Sequence, residues 1–167
     1  MKFIYTIILV LSVLVLGCTT PEAKKPVAAE EITIDSIMSE DVAGTWIEDY
    51  QQALKLSKEQ NKPILINFTG SDWCGWCKKL MGEVFTKQEF IDYSKANLIL
   101  LKIDFPSKIQ QSADLKKQNN QLQDKFKVKG YPTIVLLDSK EVELGRTGYQ
   151  PGGPSAYIQH LESFLKK

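Results

Sequence analysis

The chain has few residues that ligate metals. Its 167 residues include one histidine, His160, and three cysteines, Cys18, Cys74 and Cys77. Tetrahedral zinc sites take four nitrogen or sulfur ligands, commonly from two Cys or His pairs. Only Cys74 and Cys77 form such a pair, so we expect no metal site and no bound cofactor. His160 is expected to be a solvated or partly packed helix residue.

The sequence also has no excess of charge of one sign. Its 21 Lys and Arg residues nearly balance its 20 Asp and Glu residues, and the lysines are interspersed with glutamates. Nucleic-acid binding normally requires a basic patch, so it is not expected here. A glycine-rich phosphate loop, a nucleotide fingerprint and a Ser/His/Asp catalytic set are also missing.

No apolar run is long enough to span a membrane. The longest, residues 3–16, has 14 residues after Met1-Lys2, whereas a spanning helix needs roughly 20. This length is typical of a signal-peptide core. The run leads into "LVLGC" (14–18), which resembles the bacterial lipoprotein processing box. That resemblance implies cleavage before Cys18 and acylation of its thiol; an ordinary secretory peptide or an uncleaved anchor are the alternatives.

These features predict three parts: a signal peptide over residues 1–17, an acylated tether over 18–43 and a folded domain over 44–167. Residues 19–43 carry two prolines and no sustained apolar period, although a short strand around 32–34 is conceivable. The expected location is a bacterial membrane, reached through the N-terminal lipid, with the domain facing the periplasm or cell exterior. Disulfides persist there.

The domain alternates helical and extended patterns, which predicts an α/β fold. Thr45 and Glu48 fit a capping box for a helix that starts at Trp46 and ends at the Asn61-Lys62-Pro63 break. Buried strands are predicted at 64–68 and 98–104, and a hairpin at 132–138 and 141–149. Helices are predicted after the cysteines, within 105–127, and from Gly153-Pro154 to the end.

The stretch "FTGSDWCGWCKKL" (68–80) carries the chemistry. A disulfide between Cys74 and Cys77 closes too short a loop to constrain the unfolded chain much, so a purely structural role is disfavoured. Cys74 follows a strand, and Gly75 begins a helix. The unsatisfied amides and the positive end of the helix dipole would then favour a thiolate at Cys74. Cys77, one turn later, would lie within reach to resolve a mixed disulfide.

"WCGWCK" (73–78) after a buried strand, together with "GYPT" (130–133) opening a later strand, resembles the thioredoxin superfamily over residues 44–167. The sequence around these motifs is most similar to the exported branch of the superfamily, which is also found on bacterial lipoproteins. The resemblance implies a central mixed sheet of about four strands flanked by helices, and a cis Tyr131-Pro132 bond facing the cysteines. It also implies catalytic roles for Cys74 and Cys77, with a substrate surface formed by Trp73, Gly75, Trp76, Tyr131, Pro132 and Thr133.

The sequence departs from thioredoxins proper at three places. Their buried aspartate, a proton acceptor near the second cysteine, is matched by Asn67, which cannot take a proton; water, Asp72 or another group must then serve Cys77. The dipeptide between the cysteines is Gly-Trp instead of Gly-Pro, so the reduction potential cannot be transferred. The segment 105–120 is longer than in a minimal thioredoxin, and we interpret it as a solvated extension instead of a partner surface.

The predicted function is therefore that of a membrane-tethered, extracytoplasmic thiol–disulfide oxidoreductase. Its expected partners are thiol- or disulfide-bearing proteins and a membrane electron donor or acceptor, and it is expected to act as a monomer. Two alternatives stay open. One is a non-catalytic module that keeps the fold to bind a client, and the other is a copper-handling relative, although those use a wider cysteine spacing and a well-placed histidine.

Overall fold

The computed structural model describes residues 44–166, which form a five-stranded sheet with helices on both faces. Its elements are β1 (Trp46–Ile47), α1 (Tyr50–Gln60), β2 (Ile64–Thr69), α2 (Gly75–Leu80), a π-helical segment (Met81–Phe85), α3 (Gln88–Asn97), β3 (Ile99–Asp104), α4 (Ala113–Lys125), β4 (Thr133–Leu137), β5 (Glu143–Thr147) and α5 (Gly153–Leu165). The signal peptide, Cys18, the tether and the strand considered at 32–34 lie outside these residues. Within 44–166, no helix has the length and apolar character needed to cross a membrane.

The sheet is mixed, with strand order β1-β3-β2-β4-β5. β2 pairs in parallel with β3 and antiparallel with β4, and β4 and β5 form the closing hairpin. The expected mixed α/β architecture is confirmed, with five strands instead of about four. The additional strand, β1, runs parallel to β3, with Trp46 opposite Leu100.

The first helix begins later than the sequence analysis predicted. Trp46 and Ile47 are extended and pair with β3. The helix starts at Tyr50, where the Asp49 side chain accepts the N–H of Gln52 at 2.8 Å. The prediction of a Thr45 cap was wrong because aspartate supplies an equally good cap four residues later. The ring of Trp46 then packs against Phe85, with 5.1 Å between ring centroids.

The helical pattern after the cysteines is divided into three pieces. α2 passes into the π-helical segment, whose end is marked by the Thr86 N–H bonded to the Met81 carbonyl at 3.0 Å. A separate helix, α3, then begins at Gln88. Its buried side chains are only Phe90 and Ser94, too few to produce a visible apolar stripe, which is why the sequence analysis did not separate it.

The core lies on both faces of β2, all six residues of which are buried. Ile64, Ile66 and Phe68 point to the face covered by α1 and α4. Leu65 points to the other face, where it joins the apolar residues of α2, the π-helical segment, α3 and α5. Because side chains alternate along a strand, Asn67 and Thr69 share the Leu65 face. Apolar packing on both faces of the sheet therefore fixes the position of β2.

The final helix anchors the segment that follows β5. Tyr157 of α5 is fully buried, and its hydroxyl donates to the Gly148 carbonyl at 3.0 Å. Burial raises the pKa of the Tyr157 hydroxyl, so it remains a donor at all physiological pH values. This bond ties the start of α5 to the strand end next to Tyr149.

We predict that Tyr157→Phe lowers the free energy of unfolding by about 1 kcal/mol, the net value of one hydrogen bond with little change in packing. Urea unfolding of the oxidised protein measures this change, and an unchanged slope would show that the folded and unfolded states keep their compactness. Equal midpoints for the two proteins would mean that the Gly148 carbonyl finds another partner.

Candidate functional site: the Cys74–Cys77 disulfide

The two cysteines lie just past the end of β2, where α2 begins. They form a disulfide, with 5.2 Å between their Cα atoms. Cys74 is the N-cap residue of α2, and its sulfur accepts the backbone N–H of Cys77 at 3.2 Å. The predicted position of Cys74 at the helix N-terminus is confirmed. An N–H aimed at this sulfur would stabilise negative charge on it after reduction.

The disulfide lies just below the surface. Cys74 and Cys77 each retain 6% of their accessible area, so a partner sulfur must approach closely. Gly75, between them, faces open space: a Cβ placed there would meet no atom within 4 Å. The direct approach to the sulfurs is thus clear on the Gly75 side.

Trp73 covers one side of the disulfide loop. Its ring packs on Gly70, where an added Cβ would approach the ring to 2.4 Å, so only glycine fits there without a shift. The indole N–H donates to the Phe105 carbonyl at 2.8 Å. The ring also meets Tyr131 edge-on, with centroids 5.9 Å apart, yet 52% of Trp73 remains exposed.

Trp76 lies on the opposite side and packs against a residue that the sequence analysis did not select. Its ring centroid is 5.2 Å from that of Tyr149. The Lys79 ammonium lies over both rings, at 5.2 and 5.0 Å. The Tyr149 hydroxyl donates to Glu83 at 2.6 Å. Tyr149 follows β5 and is 66 residues from Glu83 in the chain, so the local sequence carries no signal of this contact.

The proline loop starts β4. The Tyr131-Pro132 peptide bond is cis, and Thr133 pairs with Phe68 of β2, which places the loop beside the end of that strand. Thr133 donates its hydroxyl to the Gly130 carbonyl at 2.7 Å. Tyr131 stacks on Phe105, with centroids 5.2 Å apart, and partial burial raises the pKa of its hydroxyl. Trp73 and Tyr131 therefore belong to one aromatic cluster.

Asp72 holds the segment after β3. Its carboxylate oxygens accept the backbone N–H groups of Ser107 at 2.9 Å and Lys108 at 2.6 Å. These bonds, with a further one from Ile109, lower the pKa of the carboxyl. An acceptor already committed to these amides is poorly suited to take the proton of Cys77. The structure thus disfavours Asp72 as a proton route, one of the options that the sequence left open.

The first part of the segment 105–120 is exposed at residues 107–110, as expected of a solvated extension, but it is also bonded to the loop before Cys74. Phe105 donates its backbone N–H to the carbonyl of Thr69, the last residue of β2, at 2.9 Å, and the Asp72 carboxylate accepts the N–H groups of Ser107 and Lys108. Beyond them, Ser112 caps α4 and the helix presents mostly exposed polar residues. The sequence could not show these bonds because they join groups far apart in the chain.

Asn67 is buried beneath the site, with 3% of its area exposed. It lies between Lys102 of β3 and Ile134 of β4 in the sheet register. Its Oδ1 atom is fully buried and has no hydrogen-bond partner among the described residues. Thr69, two residues on and on the same face, lines a small cavity together with Cys77. A neutral amide therefore lies in the layer below the second cysteine.

Other features lie apart from the disulfide. Within residues 44–166, no group of three or more His, Cys, Asp or Glu side chains is placed to hold a metal ion. His160 is partly packed, 2.9 Å from the Thr147 hydroxyl, as expected. A cavity of about 480 Å³ lies at the opposite end of β2, lined by residues such as Pro63, Asn97 and Ser139.

Comparison with known proteins agrees with this geometry. The sequence model of the thioredoxin-like domain matches residues 50–164. Disulfide bond reductase DsbH of Chlamydia pneumoniae is 39% identical over 119 residues, which are 71% of this chain and 72% of that protein. Thioredoxin-related protein DsbJ of the same organism is 33% identical over 165 residues, 95% of this chain but 44% of the longer DsbJ.

A solved structure of a DsbH oxidoreductase superposes with a TM-score of 0.69 at 38% identity, and the match covers 72% of this chain and 83% of that one. The fold and the disulfide at the head of α2 define a thiol–disulfide oxidoreductase. The chain belongs to the thioredoxin-like family. The alternative of a non-catalytic binding module is therefore set aside.

The burial of Asn67 leads to a prediction about the pH dependence of stability. In Asn67→Asp, burial would raise the pKa of the new carboxyl above its unfolded value of about 3.9, and Lys102 is already paired with Glu48 at 2.7 Å. The folded variant would then bind more protons than the unfolded chain. Its stability should therefore fall, relative to that of the unmodified protein, as pH rises from about 4 to the folded pKa.

Urea unfolding of the oxidised proteins between pH 4 and 8 measures this effect. Asn120→Asp, on the exposed side of α4, is the matched control and should follow the unmodified protein. Parallel profiles for Asn67→Asp and Asn120→Asp would show that position 67 is less enclosed than described.

Proposed function

We propose that the chain is an exported, lipid-tethered reductase of protein disulfides, in which Cys74 attacks and Cys77 resolves. The observation that carries the proposal is the capping position of Cys74, where the Cys77 N–H points at its sulfur. The two cysteines are equally exposed, and the assignment of roles is supported by their positions: Cys74 is the N-cap, whereas Cys77 lies within the helix. The chemistry needs no cofactor beyond the two thiols.

The exchange proceeds in two displacements. In the reduced protein the Cys74 thiolate attacks one sulfur of a substrate disulfide, forming a mixed disulfide and releasing the other substrate sulfur as a thiolate. The Cys77 thiolate then attacks the Cys74 sulfur, releasing the second substrate sulfur and closing the Cys74–Cys77 disulfide. Two electrons have passed to the substrate, whose thiolates take protons from water.

The surface around the disulfide suits an extended polypeptide substrate. Gly75 leaves the approach open, and Trp73 and Trp76 flank it with exposed rings. Tyr131, Pro132 and Thr133 run beside the end of β2, where their backbone groups would pair with a substrate strand. The reducing direction is supported by the similarity to a protein named as a disulfide bond reductase. A reductase also requires an electron donor, which we place at the membrane.

The location is proposed from the sequence of the first residues. The apolar run at 3–16 and the "LGC" ending at Cys18 support export and acylation. Because a single acyl chain gives only marginal membrane binding, the two or more chains of a mature lipoprotein would be needed for a stable anchor. Tethering would keep the domain close to a membrane-bound donor and raise the local concentration of one for the other.

Cysteine variants test the proposed chemistry. Cys77→Ser should accumulate mixed disulfides, because the intermediate at Cys74 can no longer be resolved. Cys74→Ser should form none and should not reduce insulin with dithiothreitol as electron donor. Non-reducing gels and insulin turbidity measure the two outcomes, and mass spectrometry identifies the trapped proteins. Mixed disulfides forming mainly at Cys77 in the Cys74→Ser variant would reverse the assigned roles.

The proposed anchor is tested with Cys18→Ser. In a bacterial host the full-length protein should sediment with membranes and incorporate labelled palmitate. The variant should be free of label, since serine offers no thiol for acylation. If the variant keeps the label, acylation occurs elsewhere; if neither protein carries label, the N-terminal segment is not a lipoprotein signal.

A further inference from the structure

We propose that residues 105–111, held in place by Asp72, form a wall of the substrate surface that recognises apolar segments of incompletely folded proteins next to their disulfides. This inference rests on the proposed reductase function and assigns it a substrate class and a specificity element. We call residues 105–111 the rim loop. Asp72 acts as a positioning residue, because it contacts the loop and not the reacting sulfurs.

The side chains of Asp72 and Trp73 hold the rim loop by hydrogen bonds to its backbone. The Asp72 carboxylate accepts two successive N–H groups, those of Ser107 and Lys108, and these bonds lower the pKa of the carboxyl. The Trp73 indole donates to the Phe105 carbonyl. Since Asp72 and Trp73 directly precede Cys74, the loop has a defined position relative to the attacking sulfur.

This attachment places apolar surface next to the disulfide. Four large hydrophobic residues are exposed within 44–166: Trp73, Trp76, Ile109 and Val142. Three of them belong to the segments that border the cysteines. Ile109, the next residue after Lys108, is 57% exposed, and its backbone also bonds to Asp72. We take these three exposed side chains, which border the cysteines, as contacts for apolar side chains of a substrate.

The class of partner follows from the shape and chemistry of this surface. A folded protein keeps most of its large apolar side chains buried, whereas an incompletely folded chain presents them. The sulfurs lie just below the surface, so a protein substrate must place an extended segment across Gly75 to bring its disulfide into contact. An extended apolar segment meets both conditions, and its side chains would contact Ile109 and Trp73 beyond the reacting sulfurs.

The test compares two disulfide substrates for each variant. Scrambled ribonuclease A supplies disulfides in an unfolded protein, and glutathione disulfide supplies one with no segment to bind. For Ile109→Ser and Asp72→Ala, kcat/KM toward scrambled ribonuclease should fall roughly three- to tenfold, mainly through KM, as expected for lost apolar contact. The rate with glutathione disulfide and the redox equilibrium with glutathione should change less than twofold. Asp72→Asn, which keeps one acceptor oxygen, should lose less than Asp72→Ala.

The hairpin supplies matched controls. Val142→Ser removes a residue that is 56% exposed, like Ile109, but lies in the β4–β5 turn. Asp138→Ala removes a carboxylate that accepts the N–H groups of Lys140 and Val142, both at 2.8 Å, in the same manner as Asp72. Both controls should retain the activity of the unmodified protein toward both substrates.

Several outcomes would overturn the inference. Equal losses toward both substrates in Asp72→Ala would show that Asp72 acts on the thiol chemistry itself. No loss in Ile109→Ser would remove the rim loop from substrate recognition. Loss of self-association in Ile109→Ser, without a change in kcat/KM, would make a second copy of the chain the occupant. If the unmodified protein reduces neither substrate, the proposed reductase function fails instead.

Discussion

The burial of β2 on both of its faces is the constraint on which the site depends. Parallel pairing with β3 and antiparallel pairing with β4 hold this strand at the centre of the sheet, and apolar residues pack above and below it. The chain leaves the sheet at Thr69 and reaches Cys74 five residues later. Three features meet at this end of β2. The cap of α2 follows β2 itself, the rim loop follows β3, and the proline loop leads into β4. Both neighbouring strands are in register with β2.

Aromatic and cation–π contacts between loops fix the side chains around the disulfide. The aromatic cluster of Trp73, Phe105 and Tyr131 joins segments from three different strand ends. On the other side, Trp76 and Tyr149 are bridged by the Lys79 ammonium. Trp73 and Trp76 border the two cysteines in one segment, and each packs against an aromatic ring from a distant part of the chain.

The sequence indicated much of this arrangement because its strongest signals are local. Continuous apolar runs marked β2 and β3, and the cysteine spacing after β2 marked the head of α2. The start of α1 was missed because Thr45 and Asp49 are both good caps, and only pairing with β3 decides between them. Tyr149 and the role of Asp72 were missed for a different reason. Their contacts depend on pairings between distant segments, which periodicity and spacing do not encode.

The amide of Asn67 has a consequence for how charge moves at this site. A carboxamide keeps the same charge in the oxidised and the reduced protein, so Asn67 itself stores no proton between turnovers. A proton that accompanies the electrons must then be held by water or by a group other than Asn67. The ionisation of the two thiols is therefore not matched by a change of charge at this position of β2.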